Sequence, residues 1–137
     1  MTFERIKQLK ARYFRFVDTQ NWDGLNEVFS ENAQLQWGPE DDQVMKGRAA
    51  IVSSLKANLE GAKTTHHGHM PEIELIDENN ARGIWAMNDT IDHPDYDLIG
   101  VGHYHEEYVK QGGEWRIHRL KLTRLSEVRT PKNDSGA

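Results

Sequence analysis

The chain has 137 residues, 36% of them apolar and 28% charged, and a net charge of −5 with both signs interspersed. That size and composition point to one domain with a modest core or a polar cavity, and the lack of a basic stripe argues against a nucleic-acid partner. Cysteine is absent, which excludes disulfides, thiolate zinc sites and cysteine nucleophiles.

The first half reads helical. Phe3, Ile6, Leu9, Tyr13 and Phe16/Val17 recur at three- and four-residue spacing, which predicts an amphipathic helix from Thr2 to Asp18. This charged start has no apolar core of signal-peptide type. No run in the chain approaches the ~20 apolar residues that span a bilayer. The expectation is a cytoplasmic protein without a membrane partner. "DTQNWDGL" interrupts the helix. Asn21 is placed to cap a short second helix in which Trp22, Leu25, Val28 and Phe29 share a side. "AQLQW" alternates as a short strand does, "GPEDD" is turn-rich, and "GRAAIVSSLKANLEG" predicts a further helix with Gly61 as its C-cap.

The second half changes character. "THHGHMPEIELI", "ARGIWAMNDTID", "LIGVGHYHEEYV" and "EWRIHRLKLTRL" are strand-like, and "DENN", "HPDYD" and "KQGG" between them are turn chemistry. Short connections favour antiparallel pairing. Helices first and strands afterwards predict an α+β domain over residues 1–126, with a curved antiparallel sheet wrapped around the helices and a cavity between them. Residues 127–137 are polar and aperiodic and are expected to form a disordered tail.

Histidines are dense in "TTHHGHMPEIEL" and in "HYH". His66, His67 and His69, with His103 and His105, raise the question of a metal, because imidazoles two apart on a strand can chelate one. No ligand set of known spacing accompanies them, and His66 and His67 point to opposite faces of a strand. No metal is therefore expected. His67, His69, His93 and His118 read as polar residues on a solvent-facing side. A histidine acting as general base needs a carboxylate to fix its tautomer; Asp18, Asp89 and Glu106 are the candidates. Asp89 shares a strand face with Trp85 and Met87. Asp18 falls outside the helix's apolar stripe, so periodicity alone reads it as a surface or capping aspartate. Tyr13 and Asp18 lie roughly 140° apart on an ideal helix, so both reach one pocket only if the helix ends or bends near Val17.

The series "LKARYFRFVDTQNWDGLNEVFSENAQLQW", "GRAAIVSSL", "THHGHMPEIEL" and "GHYHEEYVKQGGEWRIHRLKLTRL" resembles the SnoaL-like branch of the nuclear-transport-factor-2-like (NTF2-like) superfamily. The likeness runs from about Phe3 to Leu125 and is closest to scytalone dehydratase, bile acid 7α-dehydratase and hexachlorocyclohexane dehydrochlorinase. It implies a cone-shaped fold of cystatin-like roll type with a deep pocket between a bent sheet and the helices. It also implies a histidine–aspartate dyad that works without a metal or organic cofactor. The dyad aspartate matches Asp18, at the end of the "RYxxxxD" pattern. The dyad histidine matches His66, with His67 as the fallback. Tyr13 and Asp89 match further catalytic positions, and a late arginine matches Arg129 or Arg124. Trp37, Trp85, Met87 and Tyr104 are expected to wall the pocket, although each also reads as plain core.

The chemistry this implies is removal of an acidic C–H proton by neutral His66, followed by loss of water or halide or by return of the proton elsewhere. The expectation is thus a cofactor-independent dehydratase, dehydrohalogenase or isomerase, acting on a small hydrophobic or cyclic molecule, in a homo-oligomer (trimer or dimer). The rival readings are a non-catalytic ligand-binding protein of the same fold and a cyclase, monooxygenase or epoxide hydrolase. An epoxide hydrolase would draw on Asp89 with Arg116 or Arg124.

Overall fold

The computed structural model describes residues 1–132. Helix α1 (Thr2–Asp18) leads through a 3-10 turn (Asp23–Glu27) into β1 (Phe29–Gln36). A second 3-10 turn (Asp41–Gln43), the short β2 (Val44–Lys46) and α2 (Arg48–Leu59) follow. Four long strands complete the chain: β3 (Lys63–Asp77), β4 (Asn80–Asp92), β5 (Tyr96–Gln111) and β6 (Glu114–Pro131). With β1 and β2 they form one curved, unclosed six-stranded sheet in the order β2-β1-β6-β5-β4-β3. The pairing is antiparallel, as short hairpins require, except that β1 runs parallel to β6. That exception arises because α2 and three hairpins separate the two strands in sequence. No helix of the described residues is long and apolar enough to cross a membrane.

The local chemistry explains most boundaries. Ile6, Leu9, Tyr13, Phe16 and Val17 bury one stripe of α1. Asn21 Oδ1 accepts from the Gly24 N–H at 3.0 Å, but the N-cap of the following element is Trp22, which makes no side-chain cap bond. That element is one 3-10 turn, and Phe29 already belongs to β1. Asp77 Oδ1 accepts from the Asn79 N–H at 2.8 Å and tightens the β3–β4 turn. At the β5–β6 turn Gly112 and Gly113 both hold positive φ (58° and 81°), the conformation a two-residue primed hairpin turn demands. Pro71 sits in β3 between His69 and Glu72, where the register shifts. A proline is tolerated there because β3 is an edge strand with an irregularity.

Strand β6 continues past the expected domain end. Residues 127–131 pair with β5 as far as Tyr96↔Pro131, so this polar stretch is strand. The expected disorder of 133–137 lies outside the described residues. The paired backbone, rather than apolar side chains, carries the extension, which is why periodicity could not find it.

The concave side of the sheet holds the core with α1: Trp85, Met87, Tyr104, Tyr108, Trp115, Ile117 and Leu120 are all buried. The convex side leaves Ile99, Val101 and Val128 exposed. Five polar or charged residues are buried as well: Lys10, Ser30, His66, Asp89 and Glu106. Such groups require partners, and among the described residues no buried side-chain nitrogen or oxygen lacks one.

Candidate active site

A cavity of about 1040 Å³ opens between the concave sheet and α2, lined by residues of α1, β1, β2, α2 and all four long strands. Strands β3 and β4 contribute His66, Asp89 and Ile91 to its lining. His66 stands directly opposite Asp89 in the antiparallel register, so both side chains leave the sheet on the same, concave side. His67 is exposed on the other face. Asp18, at the last position of α1, reaches His66 from behind. His66 Nδ1 lies 2.6 Å from Asp18 Oδ1, the His66 backbone N–H donates to Oδ2 at 3.0 Å, and Thr64 Oγ1 donates to Oδ1 at 2.9 Å. An ionised carboxylate only accepts; facing Asp18, therefore, Nδ1 carries the proton and the Nε2 lone pair is free toward the cavity.

The angle between Tyr13 and Asp18 is resolved by a division of roles. Tyr13 lines the cavity, whereas Asp18 does not; it lies where the helix ends and meets the site through His66.

Asp89 is 2% exposed. It receives both arms of Arg124, Nη1 to Oδ1 at 2.7 Å and Nη2 to Oδ2 at 2.9 Å. This hydrogen bond leads in raising the already high pKa of the guanidinium. The pair reaches across β5, which lies between β4 and β6, at Gly100. A Cβ on that residue would sit 1.9 Å from Arg124 Nη1 and 2.7 Å from Asp89 Oδ1. Asp89 Oδ2 is 3.9 Å from His66 Nε2, beyond hydrogen-bond reach. Of the late arginines, Arg124 therefore meets the carboxylate. Arg129 stacks over the Tyr96 ring at 4.2 Å, along the edge of the cavity. Arg116 does not line the cavity and donates to the neighbouring Trp115 carbonyl.

Tyr13 and Tyr104 both line the cavity and pack edge to face, ring centroids 6.3 Å apart. Burial pushes both phenols well above the usual tyrosine range. For Tyr13 the carboxylates of Glu106, Asp18 and Asp89 push the same way. For Tyr104 the other phenol and Asp89 and Glu106 do so, with Arg124 opposing. Among the described residues neither hydroxyl has a protein hydrogen-bond partner, and neither is sealed off. Both are therefore open to the cavity as neutral donors.

Trp37 also lines the cavity, at 38% exposure on its rim. The expectation for Trp85 and Met87 is corrected: neither borders the cavity, and both belong to the packed core. Alternation along β4 gave the right face, but α1 covers the near part of that face. Trp85 lies within reach of Phe14 around Gly68 and donates from Nε1 to the Tyr108 hydroxyl at 2.9 Å. Only the far stretch of β4, from Asp89 through Ile91 to the His93 that follows it, meets the hollow.

Sequence reasoning missed two groups. Thr64 shares Asp18 with His66, and its position two residues earlier on the same strand face was the available signal. Lys10 is wholly buried and bonds Glu106 at 2.5 Å. It lies on the stripe Ile6–Lys10–Tyr13–Val17, where a lysine is out of pattern. Among the described residues no three histidine, aspartate or glutamate side chains converge as metal ligands.

A family model for the SnoaL-like domain matches residues 3–121. The chain belongs to that family. SnoaL-like relatives carry the names of small-molecule-converting enzymes. A protein called "Probable cyclase FGR4" from Gibberella zeae is 26% identical over 133 residues, covering 88% of this chain and 89% of its own. The structure titled "Putative Scytalone Dehydratase" from Novosphingobium aromaticivorans superposes with a TM-score of 0.83. It is 21% identical and the match covers 99% of this chain and 95% of that one. A hexachlorocyclohexane dehydrochlorinase (LinA, type 2) superposes with a TM-score of 0.78 at 18% identity, covering 97% and 90%. At these identities the two structures establish the SnoaL-like fold.

Proposed function

We propose that this protein is a cofactor-independent lyase or isomerase that removes an acidic C–H proton from a small cyclic, hydrophobic molecule. The observation that carries the reading is the 2.6 Å contact between His66 Nδ1 and Asp18 Oδ1, with the opposite ring nitrogen facing a roomy cavity. Its relatives named for dehydration and dehydrochlorination lend it support.

In the proposed step His66 Nε2 takes the proton, and the C–H electron pair moves toward the neighbouring carbon or carbonyl. Asp18 stabilises the resulting imidazolium, and Asp89 at 3.9 Å adds to it. The hydroxyls of Tyr13 and Tyr104 donate to the oxygen on which negative charge grows. For dehydration the electron pair forms the double bond, and the leaving hydroxide takes the proton back from Nε2 as water. For dehydrohalogenation halide departs and the proton is lost to solvent. For isomerisation the same proton returns to a different carbon. A general base supplies about 10²–10⁴-fold, and oriented donors and exclusion of water must provide the remainder.

The bidentate Asp89–Arg124 pair favours one second reading, epoxide opening, in which a carboxylate held by arginine handles the epoxide oxygen. That chemistry wants a further carboxylate bonded to the same guanidinium, and among the described residues Arg124 donates to Asp89 alone. Elimination or isomerisation is therefore preferred. The test is a thermal-shift screen of steroid, polyketide-like and halogenated cyclic compounds, followed by turnover and solvent-proton exchange on each hit. Asp18→Asn and His66→Gln should bind the hit and fail to convert or exchange it. Equal activity in both variants refutes the dyad reading.

A further inference from the structure

Behind the two cavity phenols lies a charged chain with no task in the proposed step. Lys10 Nζ bonds Glu106 Oε2 at 2.5 Å, and both side chains are sealed from solvent. Tyr108 donates its hydroxyl to Glu106 Oε1 at 2.6 Å, and Trp85 donates to Tyr108. The same ammonium lies 3.6 Å from the ring centroid of Tyr104, 4.1 Å from that of Tyr13 and 4.8 Å from that of Phe14. A buried ion pair of this kind is an expensive way to join a helix to a sheet, since an apolar pair of similar volume is often as stable. Its charge is set against the faces of the two rings whose hydroxyls open to the cavity.

We propose that Lys10 is a positioning residue for the two phenols: its ammonium fixes the Tyr13 and Tyr104 rings and strengthens their hydroxyls as donors to negative charge forming on a bound molecule. The inference rests on the proton-abstraction reading above. Three carboxylates face the phenols, Asp18 from α1, Asp89 from β4 and Glu106 from β5, and each makes a phenol a poorer donor. Arg124 on β6 opposes this for Tyr104. Lys10 supplies the second cation, and a cation on a ring face is held by the ring quadrupole with particular strength when desolvated. Glu106, Tyr108 and Trp85 keep it there. Burial pulls the ammonium toward losing its proton, and Glu106 opposes that loss.

The test needs no substrate. Difluorotyrosine is placed at position 104, where the ring fluorines make the phenol acidic enough to titrate while the fold survives, and its ionisation is followed by fluorine NMR. In Lys10→Met, and in Lys10→Gln, whose amide can still donate to Glu106, the phenol should titrate higher than in the Lys10 parent, because the nearest cation is gone while Glu106 stays. The glutamine variant keeps a hydrogen bond to the buried carboxylate, so it decides the matter if the methionine variant fails to fold. A purely structural Lys10 gives the opposite sign, since loosened packing admits water and lowers a buried phenol's pKa. An unchanged or lower titration in the folded variant overturns the proposal. Because no turnover is measured, that outcome is separate from failure of the His66–Asp18 mechanism.

Discussion

Replacing Asp18 by asparagine changes one atom's chemistry at the point where α1 touches the site. The carboxylate accepts three hydrogen bonds, from His66 Nδ1, the His66 backbone N–H and Thr64 Oγ1. Asparagine has one acceptor oxygen, so one approach must become a donor facing a donor or must reverse the imidazole. If the amide NH₂ faces Nδ1, the ring holds its proton on Nε2 and the base is lost. Loss of charge-assisted bonds at this half-buried carboxylate costs about 2 kcal/mol. With about 2.1 cal/mol/K of unfolding entropy per residue, this lowers Tm by about 7 °C. The catalytic loss should be far larger, about 10³–10⁴-fold in kcat, because both the tautomer and the imidazolium lose their support. The assay is deuterium uptake from D₂O into the acidic position of a ligand found by thermal shift, followed by proton NMR at saturating ligand. A folded Asp18→Asn protein exchanging within tenfold of the parent would refute the tautomer argument.

Tyr13→Phe removes a hydroxyl without a protein partner, so Tm should hold within a few degrees while kcat falls about 10²-fold with little change in KM; an unaltered kcat would remove Tyr13 from the reaction. Gly100→Ala drives a methyl group into the Asp89–Arg124 pair and should cost about 3 kcal/mol, the order expected when a buried carboxylate loses its partner; a urea midpoint equal to the parent's would contradict that. Alkaline stability follows from the three phenols whose folded pKa values burial raises, Tyr13, Tyr104 and Tyr108. Below pH 10 both states hold these protons. Above it the unfolded chain releases them first, so stability falls with rising pH, by up to about 4 kcal/mol per pH unit for three groups. Lys10, whose folded pKa is lowered, contributes the opposite slope, but only below its unfolded value near 10.5. Urea titrations at several pH values should thus steepen above pH 10.5, and a flat profile there would show that the phenols ionise in the folded state.

Strand alternation was the most legible feature of the chain. It put Asp89 on the face shared with Trp85 and Met87, and the antiparallel register then sets His66 against it and turns His67 outward. Alternation carries no information about distance along the strand, and for that reason Trp85 and Met87 read as cavity wall when α1 covers them. Helical periodicity found the buried stripe of α1 but passed over Lys10. Its partner, Glu106, lies 96 residues away, and such a pairing leaves no local trace. The choice among Arg116, Arg124 and Arg129 was equally closed to sequence reasoning. It turns on the β5–β6 register shift at Val101/Gly102 and on the missing side chain at Gly100.

The hollow has two walls of different origin. His66, Asp89, Tyr104 and Arg124 come from the sheet, anchored by long hairpins and by the end of α1, while Trp37, Met45, Ser54, Leu55 and Asn58 come from β2, α2 and the residues flanking β1. Reshaping the second group alters which molecules fit without disturbing the proton-handling groups. Libraries confined to those five positions are accordingly the rational way to move this scaffold between substrates.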